Sequence, residues 1–167
     1  MLIVVSGLPG TGKSTVAAAL AGHINAVHLS VDDAEDALLG AGLPPGFRTG
    51  VAAYEAVRAA AQQNLSLGHH VVVDAVNDSE DARSTWVRAA TATRVGLRFV
   101  VLLPPPAREH RRRLEHRTRA LSHVPEPTWE QVRARAASYA PWPTTILALD
   151  AGEPVAVLVS AIAQEVT

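Results

Sequence analysis

One segment near the N-terminus has the residue types and spacing of a phosphate-binding loop, G-x-x-x-x-G-K-[ST]. It reads Gly7-Leu8-Pro9-Gly10-Thr11-Gly12-Lys13-Ser14-Thr15. Its glycines let consecutive backbone amides turn toward an anion, and a helix that follows would add its positive N-terminal end. Lys13 is the only lysine of the 167-residue chain, and this position lets it reach the β and γ phosphates while the Ser14 hydroxyl ligates Mg²⁺. The segment therefore predicts nucleotide binding.

Carboxylates follow two predicted strands, at the end of a parallel sheet where ligands bind. Phosphoryl transfer to a hydroxyl needs a group that orients and deprotonates the acceptor. After the strand near 26–30 we expect Asp32 to be this base, with Asp33 as the alternative and helix capping as a further role for either. The strand near 70–74 ends in Asp74, which we expect to face the phosphate loop and to help ligate Mg²⁺.

A strongly basic stretch occurs in a chain whose net charge is only −1. A helix predicted over 106–121 would place Arg113 and Arg117 one turn apart, where they could close over the γ-phosphate. We expect them to belong to a lid segment spanning about 106–127. For three neighbouring arginines we favour the alternative, that they lie on a solvent-exposed helix face and form salt bridges there. These are Arg108, Arg111 and Arg112.

Several functional classes are disfavoured by residues that are missing from the chain. Ala75 follows Asp74 where motor ATPases usually carry a glutamate that activates water. The guanine-reading motif of GTPases needs a second lysine, and none is present. The absence of cysteine excludes disulfides and thiolate chemistry, and the seven histidines have no metal-ligand spacing. The apolar start at Met1 lacks the basic flank and length of a signal peptide, so we expect a cytoplasmic protein that does not enter a membrane.

Apolar runs alternate with helical patterns along the whole chain. Strands are predicted near 2–6, 26–30, 70–74, 97–103 and 145–149. Helices are predicted near 13–22, 51–66, 79–91, 106–121, 128–139 and 154–165. This rhythm is typical of an α/β fold in which helices cover both faces of a parallel sheet. We expect one domain over residues 1–167, with no second unit.

The chain resembles the small P-loop kinases, a group that includes kinase domains of polynucleotide kinases, chloramphenicol phosphotransferase, gluconate kinase and the zeta toxins. The resemblance extends from Leu2 almost to the C-terminus. Beyond the phosphate loop, the matching residues are Leu29-Ser30-Val31-Asp32, Tyr54, Gly68, Val71-Val72-Val73-Asp74, Ala75-Val76-Asn77, Arg83, Trp86, and the pair Arg113 and Arg117.

This resemblance implies a three-layer α/β/α fold whose five parallel strands have the order 2-3-1-4-5. It also implies that Asp32 is the general base and that the two arginines form the lid. Asp74, Asn77 and Arg83 would shape the acceptor or Mg²⁺ side of the site.

One departure from the family bears on the acceptor. Polynucleotide kinases of this kind tend to carry Asp-Asp-x-Arg after the second strand, whereas this chain has Glu35 in place of the arginine. A glutamate would repel a nucleic-acid phosphate, so a small hydroxyl-bearing acceptor such as a sugar, nucleoside or antibiotic is preferred. We expect its binding site to include Asp33. Further residues expected to wall it are Phe47, Arg48, Tyr54, Tyr139 and Trp142, with simple packing as the alternative role of Trp142.

The leading hypothesis is therefore an ATP- and Mg²⁺-dependent kinase acting on a small-molecule hydroxyl. A polynucleotide 5′-hydroxyl kinase is the second reading. A nucleotide-binding switch or slow NTPase is the third. No local motif separates ATP from GTP, and none specifies the oligomeric state.

Overall fold

The computed structural model describes residues 1–142 and 146–166. The strands are β1 (Leu2–Ser6), β2 (Val27–Ser30), β3 (Val71–Ala75), β4 (Leu97–Leu103) and β5 (Leu147–Asp150). The helices are α1 (Lys13–His23), α2 (Val31–Gly40), α3 (Phe47–Ser66), α4 (Glu80–Thr93), α5 (Ala107–His116), α6 (Trp129–Ser138) and α7 (Val155–Val166).

All strand pairs are parallel, and the sheet order is β2-β3-β1-β4-β5, which confirms the predicted fold class and order. Asp74 on β3 pairs with Val5 on β1 and with Ser30 on β2. The carboxyl ends of these three strands are therefore level. The register brings the phosphate loop, Asp74 and the start of α2 to one edge of the sheet.

Alternation along β1 divides the core between the two faces of the sheet. Leu2 and Val4 pack with apolar residues of α3 and α4, whereas Ile3 and Val5 pack with those of α1 and α7. All four side chains are fully buried. A strand covered on both faces reads as a continuous apolar run, which is why β1 was recognisable from sequence.

Three helix predictions need correction. The stretch 31–40 was not predicted as helical but forms α2, whose first turn is capped by the Ser30 hydroxyl accepting from the backbone N–H of Asp33 at 3.4 Å. Helix α3 begins at Phe47 rather than near residue 51. The helix predicted to reach residue 121 ends at His116, and Arg117 has extended backbone geometry with ψ of 143°.

The last strand was predicted near 145–149, and Thr145 lies outside the described residues; β5 starts at Leu147. Gly68 lies two residues after the end of α3 and has a left-handed φ of 89°. Among the described residues, no helix has both the length and the apolar character that a membrane span requires.

Candidate active site

The phosphate loop connects β1 to α1 and is held in place largely by its own backbone. Gly12 precedes α1 with a left-handed φ of 87°, a conformation that strains other residues. A side chain at Gly7 would place its Cβ 2.9 Å from the Thr11 hydroxyl and 3.0 Å from the Leu102 carbonyl oxygen. The Thr11 hydroxyl donates to the Leu8 carbonyl at 2.9 Å and closes the turn. Glycine is therefore required at position 7 by the lack of space and at position 12 by the backbone geometry.

Helix α5 supports the phosphate loop through a histidine, His110. His110 is buried, and its Nε2 lies 2.7 Å from the Pro9 carbonyl oxygen, so the ring nitrogen carries the proton that it donates. The ring also packs edge-on against Trp129 of α6, with centroids 5.3 Å apart. No local motif marks this residue, because its partner is 101 positions away.

Asp74 is buried at the end of β3, beside the start of α1. Among the described residues, neither carboxylate oxygen has a hydrogen-bond partner, and Oδ1 lies 3.7 Å from Nε2 of His28. Burial acts to raise the pKa of this carboxyl, but His28, Lys13 and Ser14 outweigh it and hold the pKa below its usual value. Asp74 is therefore an ionised carboxylate with unused ligand capacity next to Lys13 and Ser14.

This arrangement fits Mg²⁺. A buried, unsatisfied carboxylate beside the Ser14 hydroxyl provides the oxygen ligands that Mg²⁺ prefers, and the remaining positions are usually taken by phosphates and water. Within residues 1–142 and 146–166 there is no group of three or more His, Asp or Glu side chains that could hold a metal by itself.

A cavity of about 550 Å³ opens above the phosphate loop. Its lining includes Lys13, Ser14, Thr15, Asp32, Asp33, Arg113, Arg117 and Arg119. The residues predicted to be catalytic, Lys13, Asp32, Arg113 and Arg117, thus line one cavity, although they come from separate parts of the chain.

The predicted pairing of Arg113 and Arg117 on one helix face is wrong, because α5 ends between them. Arg113 stays within α5, where it donates to Glu109 at 2.8 Å and to the Ala151 carbonyl at 2.6 Å. Arg117 lies beyond the helix and binds Glu126 instead. Both line the cavity, but only Arg117 belongs to a segment without regular structure.

Asp32 and Asp33, in the first turn of α2, occupy different environments. Asp32 accepts a hydrogen bond from Nη1 of Arg119 at 2.9 Å and lines the phosphate cavity together with a second cavity of about 870 Å³. Asp33 lines only the first of these two cavities. Burial raises the pKa of Asp33, with the negative charge of Asp74 as the next cause. Of the two carboxylates, Asp32 is the one shared by both cavities.

The second cavity lies between α2, α3 and the start of α4. Five of its lining residues are acidic and two are arginines: Asp32, Glu35, Glu55, Asp78, Asp81, Arg88 and Arg135. Arg88 binds Glu55, and Arg135 binds Asp78. Burial and the neighbouring Asp32 raise the pKa of Glu35. The predicted wall residues Phe47 and Tyr54 also line this space, so its surface combines negative charge with aromatic area.

Asn77 and Arg83, expected on the acceptor side, have their polar groups bonded inside the protein. Asn77 donates to the Ser6 hydroxyl at 2.8 Å and accepts from the Trp86 indole at 2.7 Å. Arg83 donates to the carbonyl oxygens of Asn77, Ala140 and Pro141. Neither is among the residues that line the two cavities. Their contacts hold the turn after β3 and the segment after α6 in place.

The other proposed wall residues differ in position. Arg48 is exposed and does not line either cavity. The Tyr139 hydroxyl donates to the Val76 carbonyl, and Trp142 stacks against the Arg83 guanidinium, whose Cζ lies 3.7 Å from the ring centroid. Tyr139 and Trp142 therefore support the wall of the site from behind.

The family model that matches this chain is described as an AAA domain and covers residues 2–139. The chain belongs to this AAA domain family. No curated protein matches the sequence significantly.

Solved structures similar to this AAA domain include several kinases. A sugar kinase from Janibacter sp. HTCC2649 has a TM-score of 0.73 at 15% identity, over 98% of this chain and 92% of that one. A gluconokinase from Sinorhizobium meliloti 1021 has a TM-score of 0.65 at 20% identity, over 98% and 94%. The APS kinase CysC of Mycobacterium tuberculosis, in complex with AMPPNP and APS, has a TM-score of 0.70 at 18% identity, over 98% and 95%. This AAA domain therefore has the P-loop kinase fold along nearly its full length.

Proposed function

We propose that the protein is an ATP- and Mg²⁺-dependent kinase that transfers the γ-phosphoryl group to a hydroxyl of a small molecule. The observation that carries the proposal is the position of Asp32 where two cavities meet, one above the phosphate loop and the other beside α2 and α3. A base at that junction can take the proton of a hydroxyl in the second cavity as its oxygen attacks phosphorus in the first. The products are the phosphorylated acceptor and ADP.

The residues of the first cavity have separate tasks in this reaction. Lys13 and the loop amides bind the β and γ phosphates, while Arg117 neutralises charge on the transferred group. Ser14 and Asp74 would hold Mg²⁺, which supplies charge neutralisation at the phosphate oxygens when bound. Of the predicted lid, α5 is tied by His110 and Arg113 to the loops on either side of it and stays in place.

The charge of the second cavity favours a neutral or cationic acceptor. Among the described residues, Glu35 and Asp81 form no ion pair, and the five carboxylates of the lining outnumber its two arginines. A polyanion such as a nucleic-acid strand would be repelled there, whereas a sugar or amino sugar could hydrogen-bond these groups and stack on Tyr54. The sugar kinase and gluconokinase among the similar structures support an acceptor of that size.

The test is a screen for acceptors that gain the mass of one phosphate. Hydroxyl compounds should be offered with ATP in matched sets, for example glucose, glucosamine and glucose 6-phosphate, alongside a 5′-hydroxyl oligonucleotide. We expect phosphorylation of a neutral or amine-bearing compound, and none with Lys13→Ala, which controls for contaminating kinases. Phosphorylation of the oligonucleotide and of none of the small molecules would favour the polynucleotide 5′-hydroxyl kinase. ATP hydrolysis that no acceptor stimulates would favour the switch or slow NTPase.

A further inference from the structure

Two arginines beyond α5 share a single carboxylate. Arg117 donates to Oε2 of Glu126 through Nε at 2.8 Å and Nη2 at 2.5 Å. Arg119 donates to Oε1 of the same glutamate through Nε at 2.5 Å. Its Nη1 donates to Asp32 at 2.9 Å. Glu126 thus fixes both guanidinium groups, and Arg119 links this cluster to the proposed base.

Both arginines also line the cavity above Lys13, and each side chain is only 18% exposed. Nη2 of Arg119 is buried without an acceptor among the described residues. A guanidinium binds a carboxylate and a phosphoryl group through the same planar set of donors. Glu126 therefore binds these two arginines as an anionic ligand would, and it leaves Nη2 of Arg119 unsatisfied.

We propose that Glu126 is an internal competitor of the nucleotide for Arg117 and Arg119. In the nucleotide-free protein it holds the two arginines together and keeps Arg119 on Asp32. When phosphoryl oxygens enter the cavity they replace Glu126 on the guanidinium groups, and Arg119 releases Asp32 for the acceptor hydroxyl. The inference rests on the proposed function in requiring that this cavity binds a triphosphate.

Removal of the competitor should tighten binding. Glu126→Gln keeps the shape of the side chain but cannot accept from two guanidinium groups as an anion. Glu115→Gln is the matched control, because it removes the same charge from the same basic stretch while Glu115 binds only the exposed Arg111, at 2.7 Å. Each variant loses one negative charge and therefore attracts anions more strongly. Because this effect is common to both, it cancels when their affinities are compared.

The experiment is calorimetric titration of the nucleotide-free protein with the non-hydrolysable analogue AMPPNP and with inorganic triphosphate. We expect Glu126→Gln to bind both roughly three- to tenfold more tightly than Glu115→Gln, as expected for the loss of one or two partly exposed ion pairs. In an Arg119→Gln background the gain from Glu126→Gln should shrink, because the two changes share one interaction.

The outcomes separate this inference from the proposed function. Equal affinities of Glu126→Gln and Glu115→Gln, or an undiminished gain in the Arg119→Gln background, would overturn the competitor role while leaving the kinase proposal intact. Absence of binding in every variant would overturn both. Thermal unfolding of each variant establishes that it is folded, and Glu126→Asp, which retains the charge with a shorter reach, should give an intermediate affinity.

Discussion

The imidazole of His110 is hydrogen-bonded to the carbonyl oxygen of Pro9 at 2.7 Å, which ties the helix after β4 to the phosphate loop. Leu114, one turn further along α5, packs against Leu8 of the same loop. Helix α5 is thus a fixed support of the loop rather than a moving part of the predicted lid.

His110→Ala should therefore weaken nucleotide binding even though the residue does not reach the phosphates. The change leaves the Pro9 carbonyl without its partner and opens space beside the loop, a loss of about 1–3 kcal/mol in the free energy of unfolding. His69→Ala, at an exposed position, is the control. Urea unfolding and nucleotide titration measure the two effects. Wild-type affinity in His110→Ala would mean that the loop holds its shape alone.

Asp32→Asn should lower kcat by about 10²–10⁴, the usual loss when a general base is removed. Nucleotide affinity should change far less, because the phosphate loop is untouched. Asp33→Asn, on the same helical turn but lining only the phosphate cavity, should retain most activity. Steady-state kinetics on both variants decides the assignment, and the reverse ranking would transfer the role of base to Asp33.

Arg117→Ala should chiefly affect catalysis, whereas Arg113→Ala should chiefly affect stability. Arg117 lines the phosphate cavity outside any helix, so its loss should reduce kcat, within an upper range of about 10³–10⁵ for arginine fingers, more than it weakens nucleotide binding. Arg113 bonds Glu109 and the Ala151 carbonyl, so its loss should chiefly lower the thermal unfolding midpoint. An equal fall in kcat for the two variants would contradict this division.

Asn77→Ala should be strongly destabilising. It leaves the Ser6 hydroxyl and the Trp86 indole without partners in the core, and it puts alanine at a φ of 56°. Asn25→Ala carries the same backbone strain, at a φ of 54°, on the exposed surface. The difference in unfolding free energy between the two variants, expected at about 2–4 kcal/mol, isolates the buried hydrogen bonds. Similar losses in the two variants would assign the effect to strain.

Asp36 should make the lid segment sensitive to acid. The backbone N–H groups of Val124, His123 and Ser122 donate to this carboxylate and hold its pKa far below the ordinary value of 3.8. A depressed folded-state pKa means that the stabilisation is complete above the unfolded-state pKa and is lost as pH falls below it.

The stability difference between wild type and Asp36→Asn should accordingly be constant above about pH 5 and shrink at lower pH. Asp150→Asn, whose carboxylate accepts from one backbone N–H rather than three, serves as control. Chemical unfolding at a series of pH values measures both. A difference that persists unchanged to pH 2 would show that charge is not the cause.

The phosphate loop and the strands β1 and β3 were predictable because their signals are local, whereas the sheet order was implied only by the family resemblance. The loop is set by the positions of its glycines and Lys13, and β1 and β3 are unbroken apolar runs. Helix α2 was missed because it fully buries only Val31, so its apolar periodicity is weak.

The end of α5 could not be predicted for a different reason. No glycine or proline stops the helix near Arg117; instead, Arg117 and Arg119 pair with Glu126 and Asp32, up to 87 residues away in sequence. The internal roles of Asn77 and Arg83 likewise depend on partners as distant as 71 and 58 positions. Contacts at such separations have no signature in a single sequence.

Helix α2 carries Asp32 in its first turn and Asp36 one turn later, and the second carboxylate is bonded to the segment that contains Arg119 and Glu126. The acceptor side and the nucleotide side of the protein are therefore joined through one rigid element. An acceptor that shifts α2 would change nucleotide affinity, and thermodynamic linkage requires the nucleotide to change acceptor affinity by the same factor. Binding of the two substrates should consequently be coupled, which titration of one substrate in the absence and presence of the other measures.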